Sequence, residues 1–309
     1  NDALYDAVQM GDIEVVEMLL AARARAKITP LYHAEHLIAA VESEAIDMVR
    51  FFVSQSKEVI NSEDRQGLTA LRYAVRLDQA EIAQVLIEAG ANYRCPELHQ
   101  GYDVLVMAAS RNNVELTRMM LAAKVSPITG ETYGPTMLMD AASLGYAEIV
   151  KELLTVDQNT ETTDFKNMTA MCHAVEDGHL GVVQVLAEAC ADVNVRVENR
   201  DRRTPLLFAA ECGDAEVVDI LIEAGAHVNA LGEEGKTALM IAACNGSLDC
   251  VRALLRAKAE IEIHDIGGDT ALMQAAANDE IDVVQELLNA GADVENSGVR
   301  GRTALFFAT

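Results

Sequence analysis

The chain repeats itself about every 33 residues, and few sequence features restrict a fold as severely as internal periodicity of that length. Thr204-Pro-Leu-Leu-Phe-Ala-Ala210 returns as Thr237-Ala-Leu-Met-Ile-Ala-Ala243, as Thr270-Ala-Leu-Met-Gln-Ala-Ala276 and as Thr136-Met-Leu-Met-Asp-Ala-Ala142. Further copies begin at Asp2, Ala34, Thr69, Asp103, Thr169 and Thr303. The anchors at 2, 34, 69, 103, 136, 169, 204, 237, 270 and 303 define nine complete units and the start of a tenth. One supersecondary unit of this size cannot bury its apolar face alone, so stacked neighbours must supply a continuous core.

Five places after every anchor stands alanine: Ala7, Ala39, Ala74, Ala108, Ala141, Ala174, Ala209, Ala242, Ala275 and Ala308. A column that accepts only alanine marks a place where two helices approach too closely for a larger side chain. A turn follows at Gly11, Gly145, Gly178, Gly213 and Gly246, with Asp78, Asn112 and Asp279 as substitutes that tolerate left-handed backbone. Next comes a second helix, as in Asp214-Ala-Glu-Val-Val-Asp-Ile-Leu-Ile222, with apolar residues three and four apart and acids in its first turn. Gly90-Ala91, Gly225-Ala226 and Gly291-Ala292 stop that helix. A glycine two places before the anchor (Gly67, Gly101, Gly134, Gly235, Gly268, Gly301) then calls for a tight turn. Each unit reads as a β-turn finger followed by two antiparallel helices, and the whole as an all-α, elongated stack of two-helix layers.

Two stretches break the period. Residues 21–33 lack the Gly-Ala stop, and Thr29-Pro30-Leu31 imitates an anchor; the register is placed at Ala34 because Ala39 then falls at the alanine column. The finger Val195-Arg-Val-Glu-Asn-Arg-Asp-Arg-Arg203 is longer than the others and locally basic.

Composition narrows the function. Half of the residues are hydrophobic but only 4% are aromatic, which suits close helix packing. The formal charge of −25 opposes nucleic acid and anionic lipid surfaces. No apolar run approaches the roughly 20 residues of a spanning helix, so membrane insertion is not expected. Cys95, Cys172, Cys190, Cys212, Cys244 and Cys250 form no CxxC pair and read as reduced thiols of a cytoplasmic protein.

With T-P-L and x-A-A at the anchor, a glycine turn and the Gly-Ala-His-Val-Asn229 and Gly-Ala-Asp-Val294 stretches, the chain resembles the ankyrin repeat family over essentially all of its length. The Thr-Ala-Leu-Met form is similar to large ankyrin-repeat families of unicellular eukaryotes, in which cytoskeletal scaffolds and kinase-linked arrays occur. The resemblance implies a solenoid that binds proteins through its concave face. One departure is systematic. The family's histidine after T-P-L is replaced by Tyr5, Leu37, Arg72, Val106, Met139, Cys172, Leu207, Met240, Met273 and Phe306, so apolar packing is expected to do its work.

Chemical motifs dissolve into the repeat. Gly232-Glu-Glu-Gly235-Lys236-Thr237 has two residues between its glycines where a phosphate loop needs four, and Cys172-His173 with His179 lacks a second ligand pair. No catalytic set, metal, cofactor or small-molecule substrate is expected. The expected function is a non-enzymatic protein-interaction scaffold, within a cytoskeletal or other large assembly; the alternative is the docking arm of a signalling enzyme such as a kinase. Positions in the finger and at the end of the first helix read as unneeded by the fold, and in the family they line the concave face. There, Tyr102, Arg111, Tyr133, Leu144, Phe165 and Met168 form the candidate partner surface, extended by the basic Arg200 and Arg203. The aromatic residues could equally pack on neighbouring fingers. Because the chain opens at an anchor and stops inside a first helix, an excerpt of a longer array is expected.

Overall fold

The computed structural model describes residues 3–25, 34–92, 104–123, 136–197, 203–298 and 301–307. It forms two compact units, Asn1–Gly130 and Glu131–Thr309. The first holds α1 (Ala3–Gln9), α2 (Ile13–Arg25), α3 (Ala34–Glu42), α4 (Ile46–Gln55), a short α5 (Lys57–Ile60), α6 (Ala70–Arg76), α7 (Ala80–Glu88), α8 (Val104–Ser110) and α9 (Val114–Ala122). Within it α1, α3, α6 and α8 pack in succession as the first-helix row, with α4, α7 and α9 beside them as the second-helix row.

The second unit repeats the plan. Its first-helix row is α10 (Met137–Ser143), α12 (Ala170–Glu176), α14 (Pro205–Cys212), α16 (Ala238–Cys244), α18 (Ala271–Ala277) and α20 (Ala304–Phe307). The second-helix row is α11 (Ala147–Leu154), α13 (Leu180–Glu188), α15 (Ala215–Glu223), α17 (Leu248–Arg256) and α19 (Ile281–Asn289). Every anchor begins or directly precedes a helix, including Ala34 at the disputed register. The described members of the alanine column, Ala7 to Ala275, are all buried. The two antiparallel bridges, Glu63 with Thr69 and Val197 with Arg203, bracket fingers rather than build a sheet.

Helices of seven residues are far below the length that is stable alone, so caps and packing must hold them. Thr136, Thr169, Thr237 and Thr270 each stand at the N-cap, and their hydroxyls accept from the amides of Met139, Cys172, Met240 and Met273 at 3.3–3.5 Å. These four partners occupy the place of the absent histidine and are buried, as expected. Sulfur adds a weak polar contact: the Thr136 and Thr237 amides approach Met139 Sδ and Met240 Sδ at 3.4 and 3.5 Å.

The finger is locked by an aspartate. Asp164 Oδ1 accepts from the amides of Lys166 and Met168 at 2.8 and 3.0 Å, while Oδ2 meets His173 Nε2 at 3.1 Å. Asp64 does the same with Gln66, Leu68 and the Tyr73 hydroxyl, and Asp265 with Asp269 and the Gln274 amide. The turn is closed by Asn167 or by Gly67 and Gly268, at φ between +58° and +79°. At Asp64, desolvation works against the carboxylate but is outweighed by the Leu68 amide, the Tyr73 hydroxyl, the Gln66 amide and the Arg76 charge, which together hold its pKa below the ordinary 3.8. That contribution to stability is present above 3.8 and is lost as the pH falls through the lowered value.

In the second unit successive loops are joined by backbone-to-side-chain rungs. Glu161, Asn194, Asn229 and Glu262 accept from the amides of Asp192, His227, Glu260 and Asp293, each in the next repeat, at 2.7–2.9 Å.

Among the described residues Cys172 and Cys250 are buried, Cys190 and Cys212 exposed, and all are unbridged. Burial raises the thiol of Cys172 and pushes that of Cys250 up to about 11, which suppresses the reactive thiolate. Iodoacetamide at pH 8 followed by peptide mapping should therefore label Cys190 within minutes and Cys172 and Cys250 only after urea. Rapid labelling of Cys250 in the folded chain would show that α17 is not packed as described.

Candidate functional site

The finger and the C-terminal end of each first-row helix carry the side chains that the repeat leaves outside its core. In the second unit Leu144, which ends α10, is 47% exposed and Phe165, at a finger tip, is 67% exposed. Both are large apolar groups held in water by short turns. Phe165 owes its position to the Asp164 lock, which fixes the two residues after it and leaves the tip pointing outward. Ile266 follows Asp265 as Phe165 follows Asp164, and it is 78% exposed. Its place in the finger was legible, but a lone isoleucine among Gly and Asp residues did not stand out as part of an aromatic stripe.

Met168 is a correction: it is only 4% exposed and belongs to the core. The residue just before the anchor closes the finger, because the Asp164 amide donates to its carbonyl while its own amide donates back to Asp164 Oδ1. That geometry carries the side chain beneath the turn. The same place is half-buried at Leu68, Lys236 and Asp269, so it is not neutral to the fold.

Arg203 is half-buried, pairs with the Glu211 carboxylate and lies over the Phe208 ring at 5.6 Å. It braces its own repeat as much as it faces solvent. In the first unit Arg111 is exposed, and its guanidinium donates to the Arg76 carbonyl at 2.6 Å. Its equivalents also reach back one repeat: Asn245 donates to the Glu211 carbonyl at 3.2 Å and Asn278 to Cys244 Sγ at 3.4 Å. Ser143, one place earlier in its own repeat, donates in the opposite direction, to Asp177 of the next repeat at 2.7 Å. The helix ends thus tie repeats together, a role the sequence reading did not assign them. Tyr102, Tyr133 and Arg200 lie outside the described residues.

The electrostatics of this face are mixed. Asp140, on α10, has its carboxyl raised by burial, with the nearby His173 acting in the opposite direction. Among the described residues no three His, Cys, Asp or Glu side chains converge as metal ligands would. No described helix is long and apolar enough to cross a membrane.

Two-helix repeats with finger turns, presenting polar and isolated apolar groups, define a class of protein-recognition modules. The family model for ankyrin repeats matches residues 4–97, 94–165, 138–232, 190–265 and 239–309, and the chain belongs to that family. Among curated relatives it is 31% identical over 184 residues to the "Putative ankyrin repeat protein YahD" of Escherichia coli, covering 58% of this chain and 89% of that one. It is 31% identical over 208 residues to the "Ankyrin repeat and KH domain-containing protein mask-1" of Caenorhabditis elegans, covering 64% of this chain and 7% of that one. It is 26% identical over 169 residues to the "Neurogenic locus notch homolog protein 1" of Xenopus tropicalis, covering 54% of this chain and 7% of that one. The match thus spans most of one relative and a small part of the others. Ankyrin repeats are generally protein–protein interaction modules.

Proposed function

We propose that the chain is a non-enzymatic scaffold that holds a protein partner against the face made by its fingers and first-row helix ends. The observation that carries this reading is the exposure of Phe165 and Leu144 on that face in a chain of charge −25. Large apolar side chains left in water among polar ones are the usual anchors of recognition surfaces. Arg111 and Arg203 stand on the same kind of surface, and Tyr102, Tyr133 and Arg200 join it by their sequence positions. We place the protein in the cytoplasm, within a cytoskeletal or other large assembly. The 7% shares of mask-1 and notch favour a second reading, in which such an array serves as the docking arm of a larger protein, a signalling enzyme included.

The test is capture of partners by the purified chain and measurement of affinity for the partner recovered. Phe165→Ala should weaken binding more than tenfold, about 1.4 kcal/mol, with Leu144→Ala smaller and Glu188→Ala on α13 within twofold. Retention of the partner by Phe165→Ala, with loss on changing exposed residues of α13 and α15, would move the binding surface to the second-helix row.

A further inference from the structure

A further surface lies in the second unit, where the fingers meet the loops between repeats. An open groove of about 960 Å³ is lined by Arg196, His227, Leu231, Lys258 and Ile266 together with the finger acids Glu233 and Glu234. No residue of α14, α16 or α18 lines it, so it shares finger residues with the face described above but none of its helix ends. Its floor is pinned. The rungs Asn194 to His227 and Asn229 to Glu260 fix the loops at 2.7 and 2.9 Å, and the Ile266 amide donates to the Glu234 carbonyl at 2.7 Å.

Charge singles this groove out. Six other cations of the second unit, Lys151, Arg203, Lys236, Arg252, Arg256 and Arg302, hold a carboxylate within 4.0 Å. Among the described residues of that unit, Arg196, Lys258 and Lys166 have no such partner, and two of these three line the groove. Of the groove's acids, Glu234 is already paired with Lys236 at 2.9 Å. Beside the cations, Leu231 is 45% and Ile266 78% exposed. A chain that repels anions overall therefore keeps here two uncommitted positive charges next to exposed apolar side chains.

We propose that this groove binds an extended segment of a partner protein that carries at least two carboxylates and a large apolar side chain. The carboxylates pair with Arg196 and Lys258, and the apolar group covers Ile266 and Leu231. The cations come from different repeats, and an extended segment lying along the groove passes both.

The experiment selects random twelve-residue peptides from a display library on the folded 309-residue chain. Selected peptides should be enriched in Asp or Glu together with Leu, Ile or Phe. Synthetic versions should lose at least tenfold in affinity to Arg196→Glu with Lys258→Glu, and at least threefold to Ile266→Ser. Both variants change exposed side chains, and urea midpoints equal to the wild type's confirm that they are folded. Affinity should fall severalfold between 50 and 300 mM salt, because exposed charges are screened. Phe165→Ala should leave this binding unchanged, which separates the groove from the helix-end face. The proposal is overturned if selection yields no acidic excess, if the double charge reversal leaves affinity intact, or if 10 mM inorganic phosphate displaces the peptides completely, which would make the groove a simple anion site.

Discussion

Ala242→Leu is expected to destabilise the chain by about 1–3 kcal/mol in urea unfolding. Ala242 is 0% exposed on α16, which packs against α14, α17 and α18 at once. Three added carbons have no void to enter, so neighbouring helices must move apart and lose contacts along both interfaces. Because each repeat is stabilised by its neighbours, the damage should spread, splitting the transition or lowering its slope. Asn245→Ala, at the exposed end of the same helix, removes one hydrogen bond of 3.2 Å to the Glu211 carbonyl and should cost no more than about 1 kcal/mol. Equal midpoints for the two variants would show that the alanine column is not the close contact between repeats.

Asp164→Ala should cost about 2–4 kcal/mol, because it leaves the amides of Lys166 and Met168 and the His173 ring without their acceptor. The Asp164 side chain is 5% exposed, so water cannot readily replace the lost oxygens. Asp164→Asn keeps one carbonyl oxygen for the two amides and should cost less than half as much. The finger should also loosen, seen as faster hydrogen exchange at Lys166 and Met168 with α13 unaffected. An unchanged urea midpoint for Asp164→Ala would mean that the Asn167 turn and packing alone hold this finger.

The Ala column, repeated ten times, and the Thr anchor, repeated seven times, were readable because recurrence at that level separates itself from composition. Pairs were harder to see. Where the finger starts with Asp64, Asp164 or Asp265, the residue nine places on is Tyr73, His173 or Gln274, each able to donate; where it starts with Gly232 or Gly298, that residue is Ile241 or Phe307. The lock was therefore written in the sequence, but between columns rather than within one. Met168 was misplaced for a related reason: its polarity-neutral neighbours gave no sign that the finger's last side chain turns inward. The bonds from Arg111, Asn245 and Asn278 join residues 34 or 35 apart, and only the packed rows bring them together.

The rungs from Glu161, Asn194, Asn229 and Glu262 bear on how such a chain can change its length. Each donor and acceptor is supplied by equivalent positions of adjacent repeats, so an inserted copy arrives with a partner already waiting on either side. Duplication or deletion of one whole repeat among these leaves the remaining rungs chemically complete. A shift of even a few residues at the junction would instead strand an amide and an acceptor. Growth and shortening by whole modules is thus the tolerated route for this architecture, while its surface side chains are left to diverge.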